Sequence, residues 1–162
     1  MIVLGIDPDF DTTGLAVVDT HRLVGLGIAK SKPGFLQQAK ELEGLIDHIC
    51  SIYAIKLAVI EYPFIVPKGY GSRASAHARA NPNDLIKIAV IAGAALNAVQ
   101  RAGVRKIKLV TPSEWKGTIK KEIHQKQVLR NVPKLEAKLK DWPKTQRSHV
   151  IDAAGIAWKY RK

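Results

Sequence analysis

Two acids in this sequence close apolar runs, and a third lies beside a histidine near the C-terminus. Asp7 ends the run Ile2-Val3-Leu4-Gly5-Ile6 and precedes Pro8, whose fixed φ favours a turn. Glu61 ends Leu57-Ala58-Val59-Ile60 in the same way. His149 and Asp152 are three residues apart, so on a helix they share one face, while Val150, Ala153, Ala154 and Ala157 mostly point elsewhere. Carboxylates gathered at one point repel unless a cation holds them, and oxygen-rich sets select Mg²⁺ or Mn²⁺ over softer metals. One metal to activate water and another to stabilise a leaving oxygen would suit phosphodiester cleavage. Singly, each acid reads more readily as a turn former or surface charge, and the His149–Asp152 pair as structural; their conjunction points to a divalent-metal site.

The partner implied by the charge is an anion. The 162 residues carry 26 Lys+Arg and 14 Asp+Glu, a formal charge of +12. Residues 1–100 are balanced, with nine of each sign, whereas residues 101–162 carry seventeen basic and five acidic side chains. A positive field concentrated in one part of a chain attracts polyanions, and nucleic acid is the usual one. With 46% hydrophobic and 25% charged residues, the composition is that of one globular domain over 1–162. Such a chain buries roughly two-thirds of its unfolded surface without disulfides or structural metal. Cys50 is the single cysteine, which excludes an intrachain disulfide and a Cys-based zinc cluster. A cytoplasmic or other reducing compartment containing DNA is expected. The first apolar run stops at Asp7, short of a signal segment, and no later stretch is expected to reach the ~18 apolar residues of a membrane span.

The elements that must position these residues follow from periodicity. Residues 2–6, 14–19 and 23–29 read as three consecutive antiparallel strands. Leu36, Ala39, Leu42, Leu45, Ile46, Ile49 and Tyr53 mark an amphipathic helix, and Leu57 to Ile60 a buried strand. Residues 62–83, with Lys68, Arg73, His77 and Arg79 among small residues, read as a loop or a frayed helix start. Asn83 or Asp84 is expected to cap an apolar helix over 85–101, apolar enough to be covered on two sides. Lys106 to Val110 read as a fifth strand, and Thr111-Pro112-Ser113-Glu114 as the start of a short helix containing Trp115. Two short helices, 121–131 and about 134–141, are split by Pro133, and Ser148 is expected to cap a last helix to about Lys159. This order gives an α/β fold, one mixed sheet flanked by helices.

In order and spacing, Gly5-Ile6-Asp7-Pro8 with Thr13-Gly14, Val59-Ile60-Glu61, and His149-Val150-Ile151-Asp152-Ala153-Ala154 resemble the RuvC family of Holliday junction resolvases (crossover junction endodeoxyribonucleases). The resemblance spans nearly the whole chain. It implies a ribonuclease H-like fold with a five-stranded mixed sheet, and Asp7, Glu61 and Asp152 as metal-binding catalytic acids. His149 falls where the family has His or Asp, to bind metal or help activate water. The implied cofactor is Mg²⁺, two ions per active site, with Mn²⁺ as a substitute. The implied assembly is a homodimer that nicks opposed strands of a four-way DNA junction, with helix 85–101 as candidate dimer face.

Phe64, three residues after Glu61, falls where the family has an aromatic that stacks at the junction centre; a buried core Phe is the alternative. Lys116, Lys120 and Lys121 match the region of basic residues near the scissile phosphate. Lys68, Arg73 and Arg79 are expected to contact the DNA backbone, so that junction shape rather than a groove code selects the substrate. The family commonly has Gly after Asp-Pro; here Asp9 stands there with Asp11 close by, and both are expected to face solvent as turn residues, support of metal entry being the alternative. A broader flap, branched-DNA or RNA nuclease on the same fold would share the acidic site. A non-catalytic junction binder would not need carboxylates, which repel DNA. An actin-like or sugar-kinase ATPase, read from Gly5-Ile6-Asp7 and Thr12-Thr13-Gly14, needs a second such domain and about twice this length.

Overall fold

Side-chain alternation along the strands decides which helices cover each face of the sheet. A computed structural model describes residues 1–30, 34–63 and 81–162. β1 (Val3–Asp7), β2 (Thr12–Val18) and β3 (Leu23–Lys30) form the expected antiparallel meander. β4 (Leu57–Glu61) pairs parallel with β1, and β5 (Ile107–Val110) parallel with β4, giving the order β3-β2-β1-β4-β5. Parallel neighbours need crossovers, and α1 (Phe35–Ile52) and α2 (Pro82–Arg101) lie in them. The chain ends in α3 (Pro112–Lys116), α4 (Lys121–Asn131), α5 (Leu135–Leu139) and α6 (Lys144–Lys159).

On one face Leu4, Ile6, Leu15, Val17, Ala58 and Ile60 pack against Leu42 and Ile46 of α1 and Ile91, Ala95 and Val99 of α2. On the other, Val3, Ala16, Val18 and Val59 meet Val150, Ala153, Ala154 and Ala157 of α6, backed by Val128 and Leu135. The period of two therefore carries Asp7, with Val3, and Glu61, with Val59, to the α6 side. Two glycines let α6 lie close. A Cβ on Gly5 would stand 2.2 Å from the carbonyl oxygen of Ala153, and one on Gly14 would stand 2.2 Å from that of His149. Gly14 is the β2 partner of Asp7, so the turn of α6 that carries His149 comes down beside the acid.

Several boundaries differ from expectation. α6 starts four residues before Ser148, at Lys144, because Pro143 ends the preceding segment and its carbonyl accepts from the backbone N–H groups of Gln146 and Arg147. α2 starts at Pro82, with Asn81 as its cap: the Asn81 side chain accepts from Asn83 N–H, and Pro82 has no amide hydrogen to leave unpaired. α5 is shorter than expected, and Lys134 before it takes a left-handed φ of 67°. α2 also corrects two expectations. It is long and apolar enough, by length and composition, to cross a membrane. Among the described residues only one side of it is covered, leaving Ile86 63% and Val90 42% exposed, while its buried side packs on α1 and β4.

Candidate active site

Asp7 and Glu61 end neighbouring parallel strands whose preceding residues, Ile6 and Ile60, are paired in register. Asp7 is 8% and Asp152 3% exposed. Buried carboxylates need partners, and each of these has one. His149 Nδ1 lies 3.2 Å from Asp7 Oδ2, and its Nε2 lies 3.7 Å from Asp9 Oδ2. The Trp115 indole N–H donates to Glu61 Oε2. Gln125 Nε2 donates to Asp152 Oδ1 at 3.0 Å, and Lys121 Nζ forms an ion pair with Asp152 Oδ2 at 3.1 Å.

The electrostatics tie the three acids into one neighbourhood. Burial raises the Asp7 pKa above the ordinary carboxylate value and the Asp152 charge adds to this, against the hydrogen bond from His149. Burial, then the charge of Asp7, pushes Glu61 from 4.5 up to about 7, against Lys116 and the Trp115 hydrogen bond. Burial also raises Asp9. For His149, burial favours the neutral ring, but the hydrogen bond and charge of Asp7, with the charge of Asp9, outweigh it and raise the pKa. Lys121 behaves alike: burial works against its charge, and Asp152, Asp7 and Glu61 more than restore it. Burial is thus the largest cause for each raised acid, with the neighbouring carboxylates adding to it for Asp7 and Glu61. Three carboxylates with an imidazole form a hard donor set that fits Mg²⁺ or Mn²⁺ in chemistry. Among the described residues no three His, Cys, Asp or Glu side chains stand close enough together to form a metal cage as they are placed.

Asp7, Glu61, His149 and Asp152 are therefore brought together, and Lys121 with them. Lys116 lies over the Trp115 ring, 5.2 Å from its centroid, and Lys120 is exposed at the start of α4. Phe64, Lys68, Arg73 and Arg79 lie outside the described residues. Asp11 is exposed as expected, but Asp9 is not a plain solvent residue. Its turn is closed by Phe10 N–H donating to Asp9 Oδ1 at 2.6 Å and by the Thr13 hydroxyl donating to its carbonyl at 3.2 Å, which aims the other carboxylate oxygen at His149.

Sequence reasoning missed Trp115, His124 and Gln125 as site neighbours. His124 meets the Trp115 ring edge-on at 4.8 Å and 82°, and its Nδ1 is buried with no hydrogen-bond partner among the described residues. The available signal was the spacing of Lys121, His124 and Gln125, which on a helix share one face.

No protein-family model and no curated protein matches this chain. Solved structures do. RuvC of Thermus thermophilus in complex with a Holliday junction substrate superposes with a TM-score of 0.70 at 22% identity, over 98% of this chain and 91% of that one. A second Thermus thermophilus RuvC structure gives 0.69 at 23% identity, covering 98% and 92%. The yeast mitochondrial Holliday junction resolvase Ydc2 gives 0.51 at 10% identity, covering 98% and 78%. With its sheet order, its flanking helices and this agreement over nearly its full length, the chain has the RuvC-like, ribonuclease H-like fold.

Proposed function

We propose that this chain is a divalent-metal-dependent endodeoxyribonuclease that resolves four-way DNA junctions by paired, symmetric nicks as a homodimer. The observation that carries this reading is the meeting of Asp7, Glu61, His149 and Asp152 at the ends of two central parallel strands in a RuvC-like chain of charge +12. The similar Thermus thermophilus protein is seen with a Holliday junction substrate, which supports branched DNA as the partner here.

Asp7, Glu61 and Asp152 would hold two Mg²⁺ ions, or Mn²⁺ in their place, with His149 beside them. Bound metal supplies an activated water and stabilises the leaving oxygen. The chain's own residues do the rest. The strand ends fix Asp7 and Glu61, and His149, held through Nδ1 by Asp7, would accept a proton at Nε2, which lies 3.7 Å from Asp9 Oδ2. Lys116, Lys120 and the basic surface of α4–α6 attract the phosphate backbone, which favours recognition by shape. The exposed Ile86 and Val90 on α2 suit a dimer face.

The test is nicking of a labelled four-way junction beside matched linear duplex and flap substrates, in Mg²⁺, Mn²⁺ or EDTA, with Asp7→Asn as control. Paired nicks confined to the junction, dependent on metal and lost in the variant while junction binding persists, are expected. Comparable cutting of every substrate would make the chain a broader nuclease. Binding without cutting in any metal would leave a structural junction binder.

A further inference from the structure

We infer that Gln125 is a positioning residue for Asp152 and that Lys121, one turn away on α4, holds the place of a divalent cation on the same carboxylate, so that α4 sets the metal affinity of the site. The inference rests on the proposed metal-dependent reading and names residues outside its ligand set. Gln125 Nε2 donates to Asp152 Oδ1 at 3.0 Å and is itself fixed by Ser148, whose hydroxyl lies at 2.9 Å and carbonyl at 3.3 Å. All three partners are oxygens with lone pairs, which demands the NH₂ end of the amide on this side. A neutral amide orients a carboxylate without cancelling its charge. Asp152 therefore keeps its attraction for a cation while losing freedom to rotate.

Lys121 acts in the opposite sense. Its ammonium, 3.1 Å from Asp152 Oδ2, brings a full positive charge to an acid that a metal would also bind, and the charges of Asp7 and Glu61 attract it as well. The side chain is 49% exposed and sits on a flexible stem, so it can withdraw into solvent. A metal that takes Oδ2 must displace it. Removing Gln125 should thus weaken metal binding and removing Lys121 should strengthen it, although both touch the same carboxylate. A purely structural role for either residue would move stability and leave metal affinity in place.

The experiment measures Mn²⁺ binding to the full chain without DNA, by electron paramagnetic resonance of free Mn²⁺, for the wild type, Gln125→Met and Lys121→Met, with melting curves in EDTA alongside. Gln125→Met should bind Mn²⁺ roughly 10–100-fold more weakly, the usual effect of losing a hydrogen bond to a metal ligand. Lys121→Met should bind roughly two- to fivefold more tightly, as loss of a half-exposed ion pair implies. Wild-type affinity in a folded Gln125→Met protein would overturn the positioning role. Unchanged or weaker binding by Lys121→Met would overturn the competition, and because Lys121 is half-exposed this variant reports even if Gln125→Met does not fold. Absence of Mn²⁺ binding by the wild type would overturn the metal reading and this inference together, whereas wild-type binding with insensitive variants would overturn the inference alone.

Discussion

Glu61→Gln should make the metal-free protein more stable while removing its stabilisation by metal. Glu61 ionises near 4.5 when unfolded and at about 7 in the folded chain, because it is buried beside Asp7. As pH rises, the unfolded state loses this proton first, so folding opposes ionisation. Below about pH 4.5 the group contributes no penalty; between about 4.5 and 7 stability falls; above about 7 the loss is complete. At about 1.4 kcal/mol per pH unit, the rise from 4.5 to about 7 gives the full penalty an upper limit of roughly 3.5 kcal/mol. Glutamine has nearly the same shape and retains an oxygen to accept from Trp115, but it carries no charge toward Asp7. For a chain of this size each kcal/mol moves the melting temperature by about 2–4 °C. In EDTA near pH 8 the variant should therefore melt several degrees higher than the wild type, up to about 14 °C, and near pH 4.5 the two should nearly coincide. Adding Mg²⁺ near pH 8 should raise the wild type and leave the variant nearly unmoved. Circular-dichroism melts at the two pH values decide the matter. A variant no more stable than wild type near pH 8, or a difference equal at both pH values, would refute the reasoning.

Gly14→Ala should displace the first turns of α6, because its Cβ would meet the backbone carbonyl of His149 at 2.2 Å and backbone cannot rotate away. Overpacking of this kind costs about 1–3 kcal/mol, so a melting temperature lowered by roughly 2–12 °C, with nicking lost, is expected; unaltered melting and nicking would show that the close approach does not position the site. Trp115→Phe keeps a ring against His124 and removes the donor to Glu61. Nicking should fall roughly 10–100-fold while junction affinity in gel shifts stays at the wild-type level. Equal loss of both would indicate a collapsed core instead.

Much of the fold was legible because its signals are local. The short apolar runs ending in Asp7 and Glu61, and the 3.6-residue period after Phe35, announce strands and a helix without tertiary context. The same alternation that buries Val3 and Val59 under α6 turns Asp7 and Glu61 to that side, so the meeting of the acids follows from the parallel pairing of β1 with β4. Helix starts were less legible. Ser148 has the chemistry of a cap but spends its hydroxyl on Gln125 inside a helix that Pro143 has already begun. Asp9 looked like a turn residue and is one, yet the turn aims it at His149, a consequence of the landing of α6 on Gly14.

The layer behind the acids was illegible for a physical reason. α4 is polar, with Val128 its one buried residue, so its sequence reads as solvated basic surface. Its role arises only when it packs on α6, which aligns Lys121 and Gln125 with Asp152 and places His124 against Trp115. The resulting division of charge is what the proposed metal-dependent cleavage of DNA would need. Neutral donors, the Trp115 indole and the Gln125 amide, hold Glu61 and Asp152, while the cation on Asp152, Lys121, is half-exposed and Lys120 beside it is exposed. On the proposed reading, the acids would meet a small cation and the basic excess of residues 101–162 a polyanion. On that reading a divalent ion held by the carboxylates would join the two attractions, because it would face the acids on one side and a phosphate on the other.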